Sequence, residues 1–197
     1  MNKIKVNKKQ ELRKQILQRR TKLNSSYQKI ANEKIIQNII DSYEYQKSST
    51  IFTFIGKKGE IDTRKLIIDA VKRGKVVGVP RVYPGNVMKV HRFKSFEELT
   101  MSKLHILEPA ATSPLIEISS IDLTILPCVT CNLKGDRLGY GGGYYDRFLS
   151  TAGEHSLSYL PCLAQLQVDK IPLAENDVQA DVVVTENGLF KDGKIFS

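Results

Sequence analysis

The sequence predicts an α/β fold, with a mostly parallel sheet covered by helices on both faces in a Rossmann-like three-layer architecture. Three observations predict it. Short β-branched or apolar runs alternate with amphipathic stretches along the whole chain. Two runs, Thr50–Ile55 (TIFTFI) and Asp122–Val129 (DLTILPCV), are nearly all apolar, as in strands buried on both faces. A glycine cluster, Gly139 with Gly141, Gly142 and Gly143, follows the second run and precedes a helix-like segment. That order places a flexible loop at the carboxyl end of a strand, where open parallel sheets bind ligands.

The remaining elements follow in order. Residues 8–22 read as a helix with Asn7 as its cap and Leu12 and Ile16 on one face. A second helix follows Ser25 and Ser26; there Ile36, Ile39, Ile40 and Tyr43 recur at i, i+3, i+4, i+7, the spacing of a core-facing stripe. Asp62 or Thr63 caps a helix that ends at Gly74. Lys75–Pro80 reads as a short strand stopped by its proline, and Val87–Phe93 alternates as a strand does. Residues 106–120, with Pro109 and Pro114, form a surface connection. Tyr144–Thr151 is helical, Tyr159–Leu166 and Asp181–Thr185 are strands, and Asn187-Gly188 marks a tight turn. No repeat or linker interrupts the chain, so residues 1–197 are expected to form one domain, with basic N-terminal helices (1–47) packed on the α/β body.

Composition narrows the function classes. Hydrophobic residues make up 41% of the 197, ordinary for a globular chain. No apolar run approaches the roughly 20 residues of a membrane span, and the charged N-terminus lacks a secretory core segment. A cytoplasmic protein with no membrane partner is expected. The net charge is +9, and residues 1–47 hold 12 Lys and Arg against 4 Asp and Glu. A basic helical face attracts nucleic acid, phosphates or polycarboxylates, or is simply solvated. The aromatics do not interleave with the basic residues as a single-strand binder would want, so nucleic acid is not an expected partner. The three cysteines are too few for a disulfide framework. Cys128-x-x-Cys131 has half the spacing of a zinc site, but only Cys162 remains, and His91, His105 and His155 are scattered. A buried strand thiol is the reading for Cys128.

The chemistry concentrates in Leu126–Leu149. Closely spaced glycines permit positive φ and uncover successive backbone N–H groups, which can converge on an anion. A following helix adds free N–H groups and the positive end of its dipole. Neither G-x-x-x-x-G-K-[ST] nor G-x-G-x-x-G is present. The flanks are more informative: Arg137 offers a fixed-charge fork for phosphate oxygens, and Asp146 is a hard oxygen ligand suited to Mg²⁺.

The string Gly135-Asp-Arg137-Leu138-Gly139-Tyr140-Gly141-Gly142-Gly143-Tyr144-Tyr145-Asp146 resembles the signature of the 5-formyltetrahydrofolate cyclo-ligase family, also called methenyltetrahydrofolate synthetases. Lys9-x-x-Leu12-Arg13 is similar to its N-terminal basic motif, Glu60-Ile61-Asp62-Thr63 to a segment after its first strand, and Val79-Pro80-Arg81 to its V-P-R element. Glu175-Asn176-Asp177, Asp181 and Thr185-Glu186 resemble its C-terminal stretch. The matches run in the family's order from about residue 9 to residue 187.

The resemblance implies conversion of 5-formyltetrahydrofolate to 5,10-methenyltetrahydrofolate with ATP and Mg²⁺. It implies that Lys9 and Arg13 reach the ATP phosphates from the first helix, where their i, i+4 spacing puts both on one face. Gly135, Arg137, Leu138, Gly139, Tyr140, Gly141, Gly142, Gly143, Tyr144 and Tyr145 would form the nucleotide cradle, with Arg137 and Lys9 as catalytic cations. Asp146 and Asp177 would hold Mg²⁺; Asp181 would sooner open the last strand than join them. Ile55, Glu60 and the stretch Tyr140–Tyr144 would contact the folate, with or without a polyglutamate tail. A monomer is expected. The chain departs from the family at Cys131, Asn132 and Asn176, none of which carries a phosphate or metal role.

Overall fold

The computed structural model describes residues 3–152 and 156–196, with side chains from Asn7 onward. Helix α1 is Lys3–Thr21. Asn7 lies inside it and is not its cap, because the flanking Lys, Gln, Glu and Arg residues are all good helix formers. Helix α2 is Ser25–Asp41, capped by the Asn24 side chain, which accepts from the N–H groups of Ser26 and Tyr27. Ile36, Ile39 and Ile40 are buried as their spacing requires. Tyr43 is not part of that stripe. The chain turns at Ser42, which caps α3 (Tyr43–Lys47), so Tyr45 enters the core and Tyr43 is left 70% exposed.

Strand β1 (Thr50–Thr53) leads to α4 (Arg64–Lys72) and β2 (Val76–Tyr83). Asp62 Oδ1 accepts from the Arg64 N–H at 3.0 Å, while the Thr63 hydroxyl turns inward to the Phe54 carbonyl at 2.6 Å. β2 runs through Pro80 and pairs antiparallel with β3 (Val87–Arg92), correcting the expectation that the proline ends the strand. The reason is register. The Phe93 N–H donates to Val77 O, so the odd-numbered residues of β2 face β3. Pro80 therefore faces the β1 side, where pairing has already ended at Gly78, and its missing N–H breaks no ladder bond.

The connection holds a two-stranded ribbon, β4 (Thr100–Met101) with β5 (Leu107–Glu108). Strand β6 (Leu123–Ile125) is buried on both faces but shorter than its apolar run, because the chain leaves the sheet toward Pro127. β7 (Thr130–Cys131) and β8 (Arg137–Leu138) form a small antiparallel hairpin, followed by α5 (Tyr144–Ala152). β9 (Leu157–Pro161) and β10 (Val182–Thr185) rejoin the sheet, and β11 (Gly188–Lys191) and β12 (Lys194–Phe196) close it. The segment Tyr159–Leu166 is thus strand only to Pro161, then a 3-10 turn at Ala164–Leu166.

The sheet order is β12-β11-β10-β9-β6-β1-β2-β3. Its five central strands are parallel, and β3, β11 and β12 are antiparallel additions at the edges. The chain moves one way from β1 through α4 to β2, and the other way from β6 through α5 to β9. Right-handed crossovers in opposite directions place α4 and α5 on opposite faces. α2 joins the α4 face, packing on α4 and β10. On the other face Phe52 meets Phe148 of α5 at 4.7 Å between ring centroids and stacks on Tyr145 at 5.9 Å. Strand order reverses between β1 and β6, and the crevice at their carboxyl ends is the place such sheets offer a ligand. Among the described residues, no helix is long and apolar enough to cross a membrane.

Because Ile36 is fully buried on α2, the helix that packs on α4 and β10, Ile36→Ala should lower unfolding stability by about 2–5 kcal/mol in urea denaturation. A loss under about 0.5 kcal/mol, the range of ordinary surface changes, would contradict the core placement.

Candidate active site at the strand switch point

Five segments distant in sequence converge on the loop after β8. The first is one face of α1, where Lys9, Arg13, Ile16 and Arg20 recur at i, i+4, i+7, i+11 and turn toward the body of the protein. Lys9 Nζ pairs with Asp177 Oδ2 across 168 residues. Arg13 Nε donates to the Gly139 carbonyl at 2.9 Å, and its guanidinium lies against Gly141. Arg20 is buried. It donates to Val129 O at 3.0 Å and to the Tyr140 hydroxyl at 3.0 Å.

The second and third segments are β8 with the start of α5, and the stretch before β10. Arg137 Nη2 donates to Asp146 Oδ1 at 2.5 Å, and Nη1 donates to the Val178 carbonyl. The Arg137 side chain is only 4% exposed, so it acts as a charged post beneath the loop. Asp146 Oδ1 also accepts from the Val178 N–H at 3.3 Å, while Asp177 Oδ2 accepts from the Ala174 N–H at 2.7 Å. The two carboxylates are therefore brought to neighbouring residues of one segment. Each is partly exposed, and each is neutralised by a cation. Asp146 lies in the first turn of α5, where the helix dipole favours a carboxylate.

The loop between these posts has the backbone its glycines require. Gly141 and Gly143 hold φ of 105° and 64°. The first N–H groups of α5, from Tyr144, Tyr145 and Asp146, have no carbonyl within their own helix to bond. Arg147 Nη2 braces the loop, donating to Gly142 O and to Asn86 O, both at 2.9 Å. The Tyr144 hydroxyl reaches Asn86 Oδ1 at 3.2 Å, so the β2–β3 turn is the fourth segment.

The fifth segment follows β1. Glu60 accepts from the Lys57 N–H at 3.2 Å, and its side chain is only 10% exposed. Lys57 Nζ lies 5.1 Å from the ring centroid of Tyr140. Glu60 and Arg20 face a cavity of about 40 Å³, together with Gln28, Asn32, Cys128 and Leu163. Ile55 is buried in the core and is not among the residues lining that cavity.

Of the residues the sequence singles out, Lys9, Arg13, Glu60, Arg137, Tyr140, Tyr144, Asp146 and Asp177 converge. Gly135 is different in kind. It has φ of 96°, and a Cβ there would overlap the Ala180 carbonyl oxygen, so it is needed for close backbone approach in the β7–β8 turn. Leu138 is buried in the core, and only the backbone on that stretch faces the loop. Asp181 opens β10, accepting from the Ser158 N–H and hydroxyl at 2.8 and 2.5 Å. Arg20, Asn86 and Arg147 were missed. The helical spacing from Lys9 could have found Arg20; Asn86 and Arg147 carry no sequence pattern.

Taken together, the switch point, the glycine loop and the paired charges define an α/β protein with a polar centre of converging cations and carboxylates. Residues 5–186 match the profile of the 5-formyltetrahydrofolate cyclo-ligase family, and the chain belongs to that family of ligases. It is 30% identical over 166 residues to a probable 5-formyltetrahydrofolate cyclo-ligase of Caenorhabditis elegans, covering 78% of this chain and 81% of that one. It is 29% identical over 181 residues to 5-formyltetrahydrofolate cyclo-ligase of Escherichia coli K12, covering 89% and 99%. The solved structure of Aquifex aeolicus 5,10-methenyltetrahydrofolate synthetase superposes with a TM-score of 0.81 at 29% identity, covering 96% of this chain and 95% of that one.

Two glycine substitutions separate backbone need from incidental glycine. Gly135→Ala should lower stability by about 1–3 kcal/mol, the range for forced backbone strain. Gly139→Ala, which meets nothing within 4 Å at its Cβ, should stay within about 0.5 kcal/mol. Chemical denaturation of both measures this, and equal losses would contradict it.

Proposed function

We propose that this chain converts 5-formyltetrahydrofolate to 5,10-methenyltetrahydrofolate, using ATP and Mg²⁺ and releasing ADP and phosphate. One observation carries the reading: Lys9 near the start of the chain and Asp177 near its end meet beside the glycine loop, next to the Arg137–Asp146 pair. Family membership supports it. In the reaction the substrate's formyl oxygen attacks the γ-phosphorus, and the bond to ADP breaks. N10 of the folate then attacks the formyl carbon and loses its proton, and phosphate departs with the C–O bond.

The protein's part is positional and electrostatic. Lys9 and Arg13 on α1, Arg137 beneath the loop, and the free N–H groups at the start of α5 supply positive charge to the phosphates. The donor set also fits a divalent cation, since Asp146 and Asp177 are hard oxygen ligands on adjoining backbone. Mg²⁺ held there would neutralise phosphate charge. These carboxylates pair with Lys9 and Arg137. Binding therefore exchanges partners: cations turn from carboxylate to phosphate as the carboxylates turn to metal. Glu60 can accept hydrogen bonds from the amino and ring N–H groups of a pterin, with Tyr140 and Tyr144 as the adjoining aromatic surface.

The direct test mixes protein, 5-formyltetrahydrofolate and Mg-ATP and follows the near-ultraviolet absorbance of the methenyl product. Product only when both reagents are present is expected; none from folded protein would sink the reading. Arg137→Ala should lower turnover by about 10²–10³-fold, as when one charge-stabilising donor is removed; near-normal turnover would remove its assigned role. For Asp146→Asn the half-saturating Mg²⁺ concentration should rise by at least about tenfold, and an unchanged value would show that it is no ligand.

A further inference from the structure

The sequence leaves Cys128-x-x-Cys131 without a second half, but the fold supplies one. Cys128 follows β6, Cys131 lies on β7 and Cys162 follows β9. Because β6 and β9 are parallel neighbours, their carboxyl ends bring Cys162 back to the first two. The three Sγ atoms all lie within 4.8 Å of one another. All three residues are buried, at 9%, 0% and 3% exposure, and none is joined in a disulfide. None has a role in the proposed reaction.

We propose that Cys128, Cys131 and Cys162 form a three-sulfur site for a soft monovalent metal ion, Cu(I), entered from the small cavity beside Arg20. Geometry comes first. Some point lies within about 2.8 Å of all three sulfurs, against about 2.3 Å for a typical metal–thiolate bond. Small side-chain rotations close that gap. Cys128 and Cys162 both line the cavity, which gives an ion its path.

The donor set chooses the ion. Three thiolates and no oxygen ligand favour a soft metal over Mg²⁺ or Ca²⁺. Structural zinc takes four ligands, and among the described residues no histidine, carboxylate or further cysteine joins the three. Cu(I) is satisfied by three sulfurs. Its complex with three thiolates carries a net charge of −2, which would be costly to bury alone. Arg20 donates to the Cys128 carbonyl at 3.4 Å and keeps its buried Nε without a partner. Arg137 is the cross-strand partner of Cys131. Arg20, which bonds only neutral oxygens among the described residues, offsets part of that charge, while Arg137 is already paired with Asp146. Gln167 Nε2 donates to Cys131 Sγ at 3.6 Å, an outer contact that steadies one ligand.

The binding step balances without a redox partner. Cys128 donates its thiol hydrogen to Pro161 O at 3.7 Å, and Cys162 to Leu163 O at 3.6 Å. The ion replaces the thiol protons, which leave to solvent, and no electron is transferred.

The test uses the full chain, reduced and anaerobic, titrated with Cu(I) against a colorimetric Cu(I) chelator, followed by X-ray absorption on the one-to-one complex. One Cu(I) per chain with three sulfur neighbours is expected. Cys162→Ser, checked for folding by circular dichroism, should weaken binding by more than about 100-fold, beyond the effect of losing an outer contact. No stoichiometric binding to the folded wild type would overturn the site. So would two sulfur neighbours in the wild-type complex, or a folded Cys162→Ser that binds as the wild type does. The wild-type coordination number decides even where the variant does not fold. The readout uses no turnover, so it holds or fails apart from the proposed reaction.

Discussion

An ammonium group on the first helix has to reach a carboxylate 168 residues further along the chain before the glycine loop between them becomes a site. Lys9 paired with Asp177 fixes where α1 lies, and Arg13 on the next turn ties that helix to the Gly139 carbonyl. Arg20, two turns on, anchors it to Val129 and Tyr140. Ile16 supplies the apolar contact of the same face. Without this docking α1 would be a solvated basic helix, since its sequence is mostly polar. With it, three of the basic residues of the N-terminal helices, Lys9, Arg13 and Arg20, are delivered to the carboxyl ends of the parallel strands.

The same pairing sets the electrostatic character of the loop. Arg137 is almost fully buried and would be costly there without Asp146 and the Val178 carbonyl. Asp146 is in turn fixed between that guanidinium and the Val178 N–H. The centre is thus held by two ion pairs, Lys9–Asp177 and Arg137–Asp146. In the proposed reaction, ATP alone would bring anions but nothing for the carboxylates. Mg-ATP brings both, so the exchange leaves no charge unpaired.

Much of the fold was legible because its signals are local. The apolar runs at β1 and β6 reported burial on both faces, and the Ile36, Ile39 and Ile40 spacing reported the α2 core stripe. What failed depended on tertiary pairing. Tyr43 fits a helical period, but Ser42 ends the helix first and Tyr45 takes the buried place. Pro80 reads as a stop, and only the register of β2 shows that its missing N–H faces no partner strand. Of the candidate site, the motif residues were readable, and Arg20 lay one helical repeat away from being so. The role of Gly135 was not, since it depends on Ala180, which the chain order does not reveal. Cys162 was equally hidden, because the adjacency of β6 and β9 brings it to Cys128 and Cys131.

The proposed exchange of ion pairs for Mg-ATP can be measured without catalysis. Isothermal titration of the protein with ATP, once with Mg²⁺ and once with a metal chelator, compares the two ligands at the same centre. Binding tighter with Mg²⁺ by about tenfold or more, roughly 1.4 kcal/mol, is the expected result, because only then do Asp146 and Asp177 gain a partner as Arg137 and Lys9 turn to phosphate. Equal or tighter binding of metal-free ATP would contradict it.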